Sequence, residues 1–401
     1  MSTFDIPEVY NQTIRDCLAC GKCMGRCPSL QSAGMSLMEI ANGMRNALIA
    51  SDDAEELAGN IVTTPGLSQA VRGCFLCENC IAKCEADIPV SDLVYASRKV
   101  FQEAGLIPRE AWSSVLVDQE WDIFTAYRAI YGIGYQDLTR HVAYEGHEPE
   151  TDCEIAFFPG CSLAAYGPEL CREVFSKIEE LGGKTTMIDE CCGSPLMSAG
   201  FLQRSADLNQ RIVDQIVLSG AHEVVFACPG CKNSVSSYLA AAGHSDIACT
   251  TVPAFLLAHG VTAPYTGERP VRLFRSCQDR DGSYTQAARE LLQLGDEIEC
   301  PTMCDGCCGG GGAVSAYNPT QQSKRVGHTL ERCKDGDMLI SLCPTCTYTF
   351  AFQLMSEPHD ITVKNYLELI FDSQFDWDTV FAQLNGMWYG EYGPWLAQVF
   401  A

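Results

Sequence analysis

A set of five cysteines that occurs twice constrains this chain more than any other feature. Each copy has one cysteine, a Cys-Cys-Gly triplet after twenty-nine residues, and a Cys-Pro-x-Cys segment thirty-five residues (thirty-four in the second copy) after the cysteine pair. The first set is Cys161, Cys191, Cys192, Cys228 and Cys231. The second set is Cys277, Cys307, Cys308, Cys343 and Cys346. Because long repeats indicate duplicated structural units, the sequence predicts two metal-binding units in tandem.

The length and composition are typical of a multidomain globular protein. A chain of 401 residues with 47% hydrophobic side chains is long and apolar enough for two to four packed domains. Its 24 cysteines would indicate a disulfide scaffold in a short secreted protein. The chain is long, however, and its start has neither the basic region nor the apolar region of a signal peptide. We therefore expect metal-bound thiolates in a reducing cytoplasm.

Charge and hydropathy disfavour several kinds of partner. The formal net charge is −24, from 51 acidic and 27 basic residues. Such a charge disfavours nucleic acid and anionic lipid surfaces. No apolar run approaches the eighteen or more residues of a membrane-spanning helix. Any association with a membrane is therefore expected to be peripheral, through a partner.

The N-terminal part carries eight further cysteines in two runs with the spacing Cys-x2-Cys-x2-Cys-x3-Cys. The first run is Cys17, Cys20, Cys23 and Cys27, and the second is Cys74, Cys77, Cys80 and Cys84. This is the pattern of two-cluster bacterial ferredoxins, in which the fourth cysteine of each run binds the cluster of the other run. Pro28 follows the first run as in that pattern, whereas Glu85 follows the second.

The ferredoxin pattern gives two expected ligand sets for cubane [4Fe-4S] clusters. One set is Cys17, Cys20, Cys23 and Cys84, and the other is Cys74, Cys77, Cys80 and Cys27. A pair of four-cysteine zinc sites is the alternative, but structural zinc usually takes two separated Cys-x-x-Cys pairs rather than triplets. Iron–sulfur clusters are therefore the preferred interpretation for residues 1–110.

Helical periodicity predicts helices on either side of the second cysteine run. Between the two runs, apolar residues recur at helical spacing, namely Leu37, Ile40, Ala41, Met44 and Leu48. We expect this helix to pack over the clusters. Residues 111–150 form a connector rich in aromatic residues, whose periodicity favours packing over a substrate-binding surface.

From residue 151 onwards, short apolar strands alternate with amphipathic helices. Strands are expected at 155–158, 184–188 and 223–226, and again at 271–274, 297–299 and 338–342. Helices are expected at 168–181 and 206–218. The cysteines follow the strands, and open α/β sheets bind their ligands beyond the carboxyl ends of the strands. Both cysteine sets are therefore expected at such an edge.

The predicted fold class is α+β multidomain. A mainly helical two-[4Fe-4S] ferredoxin domain (1–110) and the connector precede two tandem α/β cysteine-rich domains (151–266 and 267–375). An aromatic tail (376–401) follows, with three of the five tryptophans of the chain. Because aromatic residues are enriched at interfaces, the tail could dock onto a partner. Packing on the second cysteine-rich domain is the preferred interpretation.

Five thiolates per unit favour an iron–sulfur cluster over zinc. Zinc closes its shell at four ligands, and the adjacent Cys191 and Cys192 would chelate one metal poorly but can bind neighbouring irons. A redox-active dithiol at each Cys-Pro-x-Cys segment is the alternative, because such pairs can have a lowered thiol pKa. The three upstream cysteines at matching spacing in both copies argue against it.

Two other features of the sequence bear on possible sites. No Gly-Lys-Ser/Thr follows the glycines at 309–312, so a phosphate-binding loop is excluded. These glycines are expected to let backbone approach a cluster. Six cysteines lie outside the sets, and burial as small hydrophobic residues is expected for Cys153, Cys171, Cys249, Cys300, Cys304 and Cys333. Among them, Cys304 stands out because it lies three residues before Cys307.

The motifs together resemble the catalytic subunit of heterodisulfide reductase in its fused form, over residues 17 to about 350. They are also similar to the iron–sulfur subunits of anaerobic glycerol-3-phosphate dehydrogenase, glycolate oxidase and lactate-utilisation complexes. In the heterodisulfide reductases, each complete five-cysteine set holds a non-cubane [4Fe-4S] cluster, and the disulfide is cleaved between the two clusters. The resemblance therefore implies one such cluster at each of the two sets.

The resemblance implies one of two functions. In the first, an oxidoreductase subunit passes electrons from the ferredoxin-type clusters to the twin clusters, which reduce a disulfide-type acceptor. In the second, an electron-transfer subunit links a flavin dehydrogenase of the glycolate, lactate or glycerol-3-phosphate type to quinone or a membrane partner. The two complete sets favour the first, because relatives of the second kind often lack part of one set. The chain carries no flavin or nicotinamide fingerprint, so an electron-donating partner such as a flavoprotein is expected.

Overall fold

The N-terminal region is an assembly of short helices. The computed structural model describes residues 5–81, 84–109, 112–119, 121–134, 150–295 and 307–400. The first helices are α1 (Ile6–Asp16), α2 (Pro28–Ala33), α3 (Leu37–Ile49), α4 (Ala54–Thr63), α5 (Leu67–Arg72) and α6 (Val90–Glu103), with a 3-10 turn at Met24–Arg26. The prediction of a mainly helical N-terminal region is confirmed.

Helix α3 is the helix predicted between the two cysteine runs. It begins with a capping box, in which Ser36 Oγ accepts from the Glu39 N–H and the Glu39 carboxylate accepts from the Ser36 N–H. The apolar face predicted from the periodicity is buried against α1. Leu37, Ile40, Ala41 and Met44 are all at most 3% exposed.

The connector packs on the units that follow it. Its helices are α7 (Trp112–Val115) and α8 (Ile123–Ile130). Tyr127 is buried against Tyr166, with ring centroids 5.2 Å apart, and its hydroxyl donates to Gln383 Oε1. The described part of the connector therefore has the packing role expected for it, while residues 135–149 lie outside the described ranges.

The first cysteine-rich unit is built on a parallel four-stranded sheet with the order β2-β1-β3-β4. Its strands are β1 (Ile155–Phe158), β2 (Thr185–Met187), β3 (Glu223–Phe226) and β4 (Ala248–Thr251). Its helices are α9 (Cys161–Tyr166), α10 (Pro168–Gly182), α11 (Ser194–Ala199), α12 (Leu202–Ser219), α13 (Pro229–Ala241) and α14 (Val252–Ala258). In the register of the sheet, Ala156 pairs with Thr186 on one side and Val224 on the other.

The second unit repeats this topology in a three-stranded parallel sheet with the order β5-β6-β7. Its strands are β5 (Val271–Phe274), β6 (Met338–Ser341) and β7 (Thr362–Asn365). Its helices are α15 (Ser283–Leu291), α16 (Val314–Tyr317), α17 (Pro319–Leu330) and α18 (Pro344–Ser356). The strand predicted at 297–299 lies outside the described residues. Strands β5 and β6 confirm the predicted positions.

The C-terminal tail forms helices α19 (Trp377–Tyr389) and α20 (Gly393–Val399), which pack on the rest of the chain. Met387 and Leu396 are fully buried. Trp377 stacks on Phe375 with ring centroids 4.6 Å apart. These contacts favour the packing interpretation of the tail over docking to a partner. Over the ranges given above, none of the helices is both long and apolar enough to cross a bilayer.

Candidate metal centre

Both cysteine sets lie at the carboxyl ends of the parallel strands. Cys161 begins α9 directly after β1, and Cys191 and Cys192 follow β2. Cys228 and Cys343 occupy equivalent positions, because each is the N-cap of the helix that follows a central strand, α13 after β3 and α18 after β6. The expected placement at this edge is confirmed for the first set and for Cys277 and Cys343, whereas the strand expected before Cys307 lies outside the described residues.

The five cysteines of the first set form a continuous series of sulfur contacts. The Sγ atoms of Cys161 and Cys191 are 3.8 Å apart. The Cys192 thiol is hydrogen-bonded to Cys191 and Cys231, and Cys231 is hydrogen-bonded to Cys228. Cys191, Cys192 and Cys231 are buried, with at most 5% exposed. The set therefore converges on one buried position between the strand ends.

The second set converges in the same way except at one residue. Cys346 is hydrogen-bonded to Cys308 and to Cys343. Cys277 lies within electrostatic range of Cys308 and Cys343. The exception is Cys307, which is hydrogen-bonded to Cys77 of the second ferredoxin-type run. The sulfur of Cys307 thus joins the second set to the N-terminal region.

The two sets meet each other across an approximate twofold relationship. The Sγ atoms of Cys228 and Cys343 are 3.7 Å apart. Beside them, the hydroxyl of Ser162, which follows Cys161, lies 2.9 Å from Thr345 Oγ1 in the second Cys-Pro-x-Cys segment. The equivalent contact in the other direction joins Gln278 and Gly230, where a Cβ on the glycine would lie 3.5 Å from Gln278 Cγ. Both sets of cysteines therefore face one shared interface between the units.

The loop of the first cysteine pair is held by buried polar side chains. Gly193 has φ +72°, and a Cβ there would lie 2.7 Å from Asn209 Nδ2, so the triplet requires its glycine. Asn209 Nδ2 donates to the Cys192 carbonyl at 3.1 Å, and Ser234 Oγ donates to the same oxygen at 2.8 Å. In the second unit, Thr329 Oγ1 donates to the Cys307 carbonyl.

These supporting residues are not among those predicted from the sequence. Asn209 lies between Leu208 and Ile212 on the buried face of α12. A fully buried asparagine in an apolar stripe indicates a required hydrogen bond, since buried polar groups are satisfied almost everywhere in proteins. An asparagine within an apolar stripe is therefore the feature of the sequence that could have identified Asn209. The sequence does not indicate which backbone group the amide binds.

The ferredoxin-type cysteines form two groups. The first group lines one small cavity together with Leu37 and Ile88, and consists of Cys17, Cys20, Cys23 and Cys84. The second group lies within mutual electrostatic range and consists of Cys27, Cys74, Cys77 and Cys80. In both groups the fourth cysteine comes from the other run, as in the expected ligand sets. Cys20 is exposed, whereas burial raises the pKa of the Cys74 thiol to about 12.

The second cysteine of the Cys-Cys pair has a lowered thiol pKa in both units. Hydrogen bonds from Cys191 and Cys231 lower the pKa of Cys192 well below its usual value. A hydrogen bond from Cys346 likewise lowers the pKa of Cys308. The thiols that donate are Cys191 and Cys231 in the first unit and Cys346 in the second, and their pKa values are raised by these hydrogen bonds and by burial. Sites that hold several buried thiols need positive charge before all of them can ionise, and a metal centre with soft-ligand preference meets this need.

Comparison with known families agrees with these groups of cysteines. The 4Fe-4S dicluster domain family matches residues 13–88. The cysteine-rich domain family matches the chain twice, at residues 155–236 and 271–351. The two matches to the second family contain all ten cysteines of the duplicated sets. The ferredoxin-type groups therefore lie within a 4Fe-4S dicluster domain, and the two five-cysteine sets lie within two copies of the cysteine-rich domain.

Several curated proteins are similar over most of the chain. One subunit of fumarate reductase (CoM/CoB) from Methanothermobacter marburgensis is 24% identical over 385 residues, which cover 91% of this chain and 73% of that protein. One subunit of dihydromethanophenazine:CoB–CoM heterodisulfide reductase from Methanosarcina barkeri is 23% identical, with 93% and 97% covered. Its counterpart in Methanosarcina mazei is 22% identical, with the same shares covered. The chain therefore combines a 4Fe-4S dicluster domain with two domains of the cysteine-rich family, and along most of its length it resembles this heterodisulfide reductase component.

Proposed function

We propose that this chain is the iron–sulfur subunit of an oxidoreductase complex and reduces a disulfide-type acceptor at a centre shared by its two cysteine-rich units. The observation that carries the proposal is the contact between Cys228 and Cys343 at 3.7 Å. A chain that only relayed electrons would need one complete cysteine set. Two complete sets that meet at equivalent residues could each deliver one electron to the same bond. This arrangement supports a two-electron reaction such as cleavage of a disulfide.

The proposal assigns four clusters to the cysteine groups. Each ferredoxin-type group would hold one cubane [4Fe-4S] cluster, and each five-cysteine set would hold one non-cubane [4Fe-4S] cluster. The assignment rests on the donor chemistry, since thiolates are the ligands of such clusters. The position of Cys307 beside Cys77 supports close approach of the second cubane group to the second set.

The cysteine groups adjoin one another in a linear order. Cys80 of the second cubane group lies within electrostatic range of Cys23 of the first. Cys77 then contacts Cys307, and Cys343 contacts Cys228. The first cubane group, at the outer end, carries the exposed Cys20. This order supports entry of electrons near Cys20, from a flavoprotein or another electron-donating partner, and their use at the interface of the two units.

Reduction of a disulfide consumes two electrons and two protons, breaks the sulfur–sulfur bond and releases two thiols. The clusters, when bound, supply the electrons in one-electron steps. The residues of the chain have to orient the acceptor and deliver protons. The hydroxyl pair of Ser162 and Thr345 lies at the interface beside Cys161 and Cys346, so it can hydrogen-bond a sulfur placed there and hand it a proton from solvent.

The similar proteins support a thiol–disulfide couple. The names of the two kinds of relative both contain the pair CoM and CoB, and one of them specifies a heterodisulfide. One of these names also describes a fumarate reductase, so members of this family work with different electron-exchanging partners.

The test is turnover by the protein purified anaerobically. With reduced methyl viologen as donor, the release of thiols from a panel of disulfides is followed with a thiol reagent, and quinone reduction is followed in parallel. Reduction of at least one disulfide, with little quinone reduction, is expected. The alternative is a relay that links a flavin dehydrogenase to quinone or a membrane partner. Rapid electron exchange with quinone and no thiol release from any disulfide would establish that relay and refute the proposal.

A further inference from the structure

Arg98 is a fully buried cation at the junction of the N-terminal region with both cysteine-rich units. It lies on α6, in line with Val94 and Phe101 on the buried face of that helix, and only 1% of it is exposed. Burial of a charge is costly unless the charge is paired and hydrogen-bonded. The position of this side chain therefore needs an explanation beyond packing.

The guanidinium group of Arg98 donates to backbone carbonyls of three regions. In the N-terminal region it donates to Val71 at 2.9 and 3.1 Å, to Arg72 at 3.4 Å and to Cys74 at 2.7 Å. It also donates to the Ser198 carbonyl at 2.6 Å in the first cysteine-rich unit and to the Gly312 carbonyl at 2.5 Å in the second. The ring of Tyr317 lies over it at 5.4 Å. The hydrogen bonds of this group are thus satisfied, but its charge is not neutralised by them.

Within the described ranges, no carboxylate pairs with Arg98. The groups within electrostatic range of Arg98 are the thiol of Cys74 and the hydroxyls of Tyr317 and Tyr95. The interaction with the Cys74 thiol is the strongest of the three. Arg98 also binds the carbonyl of Cys74. Cys74 belongs to the second cubane group, the one that contacts Cys307. The positive charge is therefore placed beside the group of cysteines that stands between the ferredoxin-type region and the second five-cysteine set.

Gly312 shows how closely the two cysteine loops are joined at this point. A Cβ at Gly312 would lie 2.2 Å from the Cys74 carbonyl oxygen, so the backbones are in direct contact. The close approach seen here is to the backbone of a ferredoxin-type cysteine, and the expected approach of these glycines to a cluster stays a prediction. Arg98 binds the carbonyl of Gly312 and the carbonyl of Cys74 together, and so holds both loops.

We propose that Arg98 is a positioning residue whose charge stabilises the reduced state of the cluster assigned to Cys27, Cys74, Cys77 and Cys80, and so raises the reduction potential of that cluster at the junction. The inference rests on the cluster assignment made under the proposed function. A one-electron reduction adds one negative charge to the group. A fixed cation in a buried environment of low dielectric constant favours the added charge more than solvent-exposed cations do.

The test compares three variants of the full-length holoprotein. In R98Q the positive charge is removed, and in R98K it is kept with fewer hydrogen-bond donors. In the control R272Q, a largely buried guanidinium on strand β5, which pairs with Asp337, is removed instead. Midpoint potentials of both cubanes are measured by potentiometric titration with electron paramagnetic resonance, and thermal unfolding is measured alongside.

The expected result is a lower midpoint for one cubane in R98Q only. The shift should reach about tenfold in the reduction equilibrium, about 59 mV for one electron. R98K and R272Q should keep both midpoints close to those of the wild type, although both should unfold at lower temperature. Lower stability of R98Q and R98K with unchanged midpoints would show that Arg98 is only structural, and would overturn the inference.

A fourth variant covers the case in which R98Q does not fold. In R98H the charge of the side chain can be changed by pH in one folded protein, so the midpoint of the affected cubane should fall more steeply with rising pH than in the wild type. A midpoint that follows the wild type at every pH would overturn the inference. Absence of any cubane signal from the wild-type protein would refute the cluster assignment itself, and so the two failures are distinguishable.

Discussion

Cys228 and Cys343 occupy equivalent positions in the two repeats, and their sulfur atoms lie 3.7 Å apart. Each residue caps the helix that follows the central strand of its sheet. Neither unit alone can therefore form the centre that the two cysteines share. The duplication has a direct structural consequence, since it creates a symmetric interface from two copies of one strand–cysteine–helix element.

The metal content should distinguish iron–sulfur clusters from zinc. If all four cysteine groups are filled, anaerobically purified protein should contain roughly sixteen irons per chain with a matching amount of sulfide. Inductively coupled plasma mass spectrometry and sulfide analysis measure both. About half that iron would leave the ferredoxin-type clusters in place and count against clusters in the duplicated units. Zinc with little iron would contradict the whole assignment.

Replacement of the second cysteine of either pair should abolish disulfide reduction. Cys192→Ser and Cys308→Ser each remove a thiol whose pKa is lowered by its neighbours. Thiol release should be lost in both variants, while electron paramagnetic resonance still detects reduction of the two cubanes. Cys249→Ser, a half-buried cysteine outside the sets, is the matched control and should retain turnover. Retained turnover in either pair variant would exclude a shared two-unit centre.

Loss of the hydroxyl of Tyr284 should destabilise the protein more than loss of the hydroxyl of Tyr366, its hydrogen-bond partner. Tyr284 donates to the Ala227 carbonyl at 2.9 Å, so its 2.8 Å contact with Tyr366 requires Tyr366 to be the donor. Tyr284→Phe leaves two buried partners unsatisfied and should cost about 1–3 kcal/mol of stability. Tyr366→Phe leaves the bond to Ala227 intact and should cost about 0.5–1.5 kcal/mol. Denaturant unfolding measures both, and a larger loss for Tyr366→Phe would show that the assigned donor direction is wrong.

The tail should act as part of the folded core. Met387 is fully buried, so Met387→Ala should destabilise the protein by about 2–5 kcal/mol. Tyr389 lies two residues away and is 86% exposed, so Tyr389→Ala should change the stability by no more than about 0.5 kcal/mol. Thermal unfolding of both variants makes the comparison. Equal, small effects together with loss of a partner protein on purification would instead favour a docking role for the tail.

The strands that precede cysteines of the two sets are predictable from the sequence, and strands β4 and β7, which precede none, are not. Strand β1 reads Ile-Ala-Phe-Phe and is buried along its whole length, so its apolar run indicates its position. Strands β4 (Ala-Cys-Thr-Thr) and β7 (Thr-Val-Lys-Asn) are mixed in polarity and partly exposed. The apolar pattern misses both strands, because partly exposed strands of mixed polarity do not produce the apolar run that indicates a buried strand.

Ligand spacing and strand periodicity are local properties of the chain. The sequence alone therefore predicts how the cysteines are grouped and that the groups follow strands. The sequence does not predict which groups of cysteines lie next to one another in the fold. Contact between Cys228 and Cys343 joins residues 115 positions apart, and Arg98 binds Gly312 across 214 positions. Such pairs depend on how the regions pack against one another. The shared interface of the two repeats and the buried cation where the N-terminal region meets them are therefore visible in the folded structure and not in the sequence.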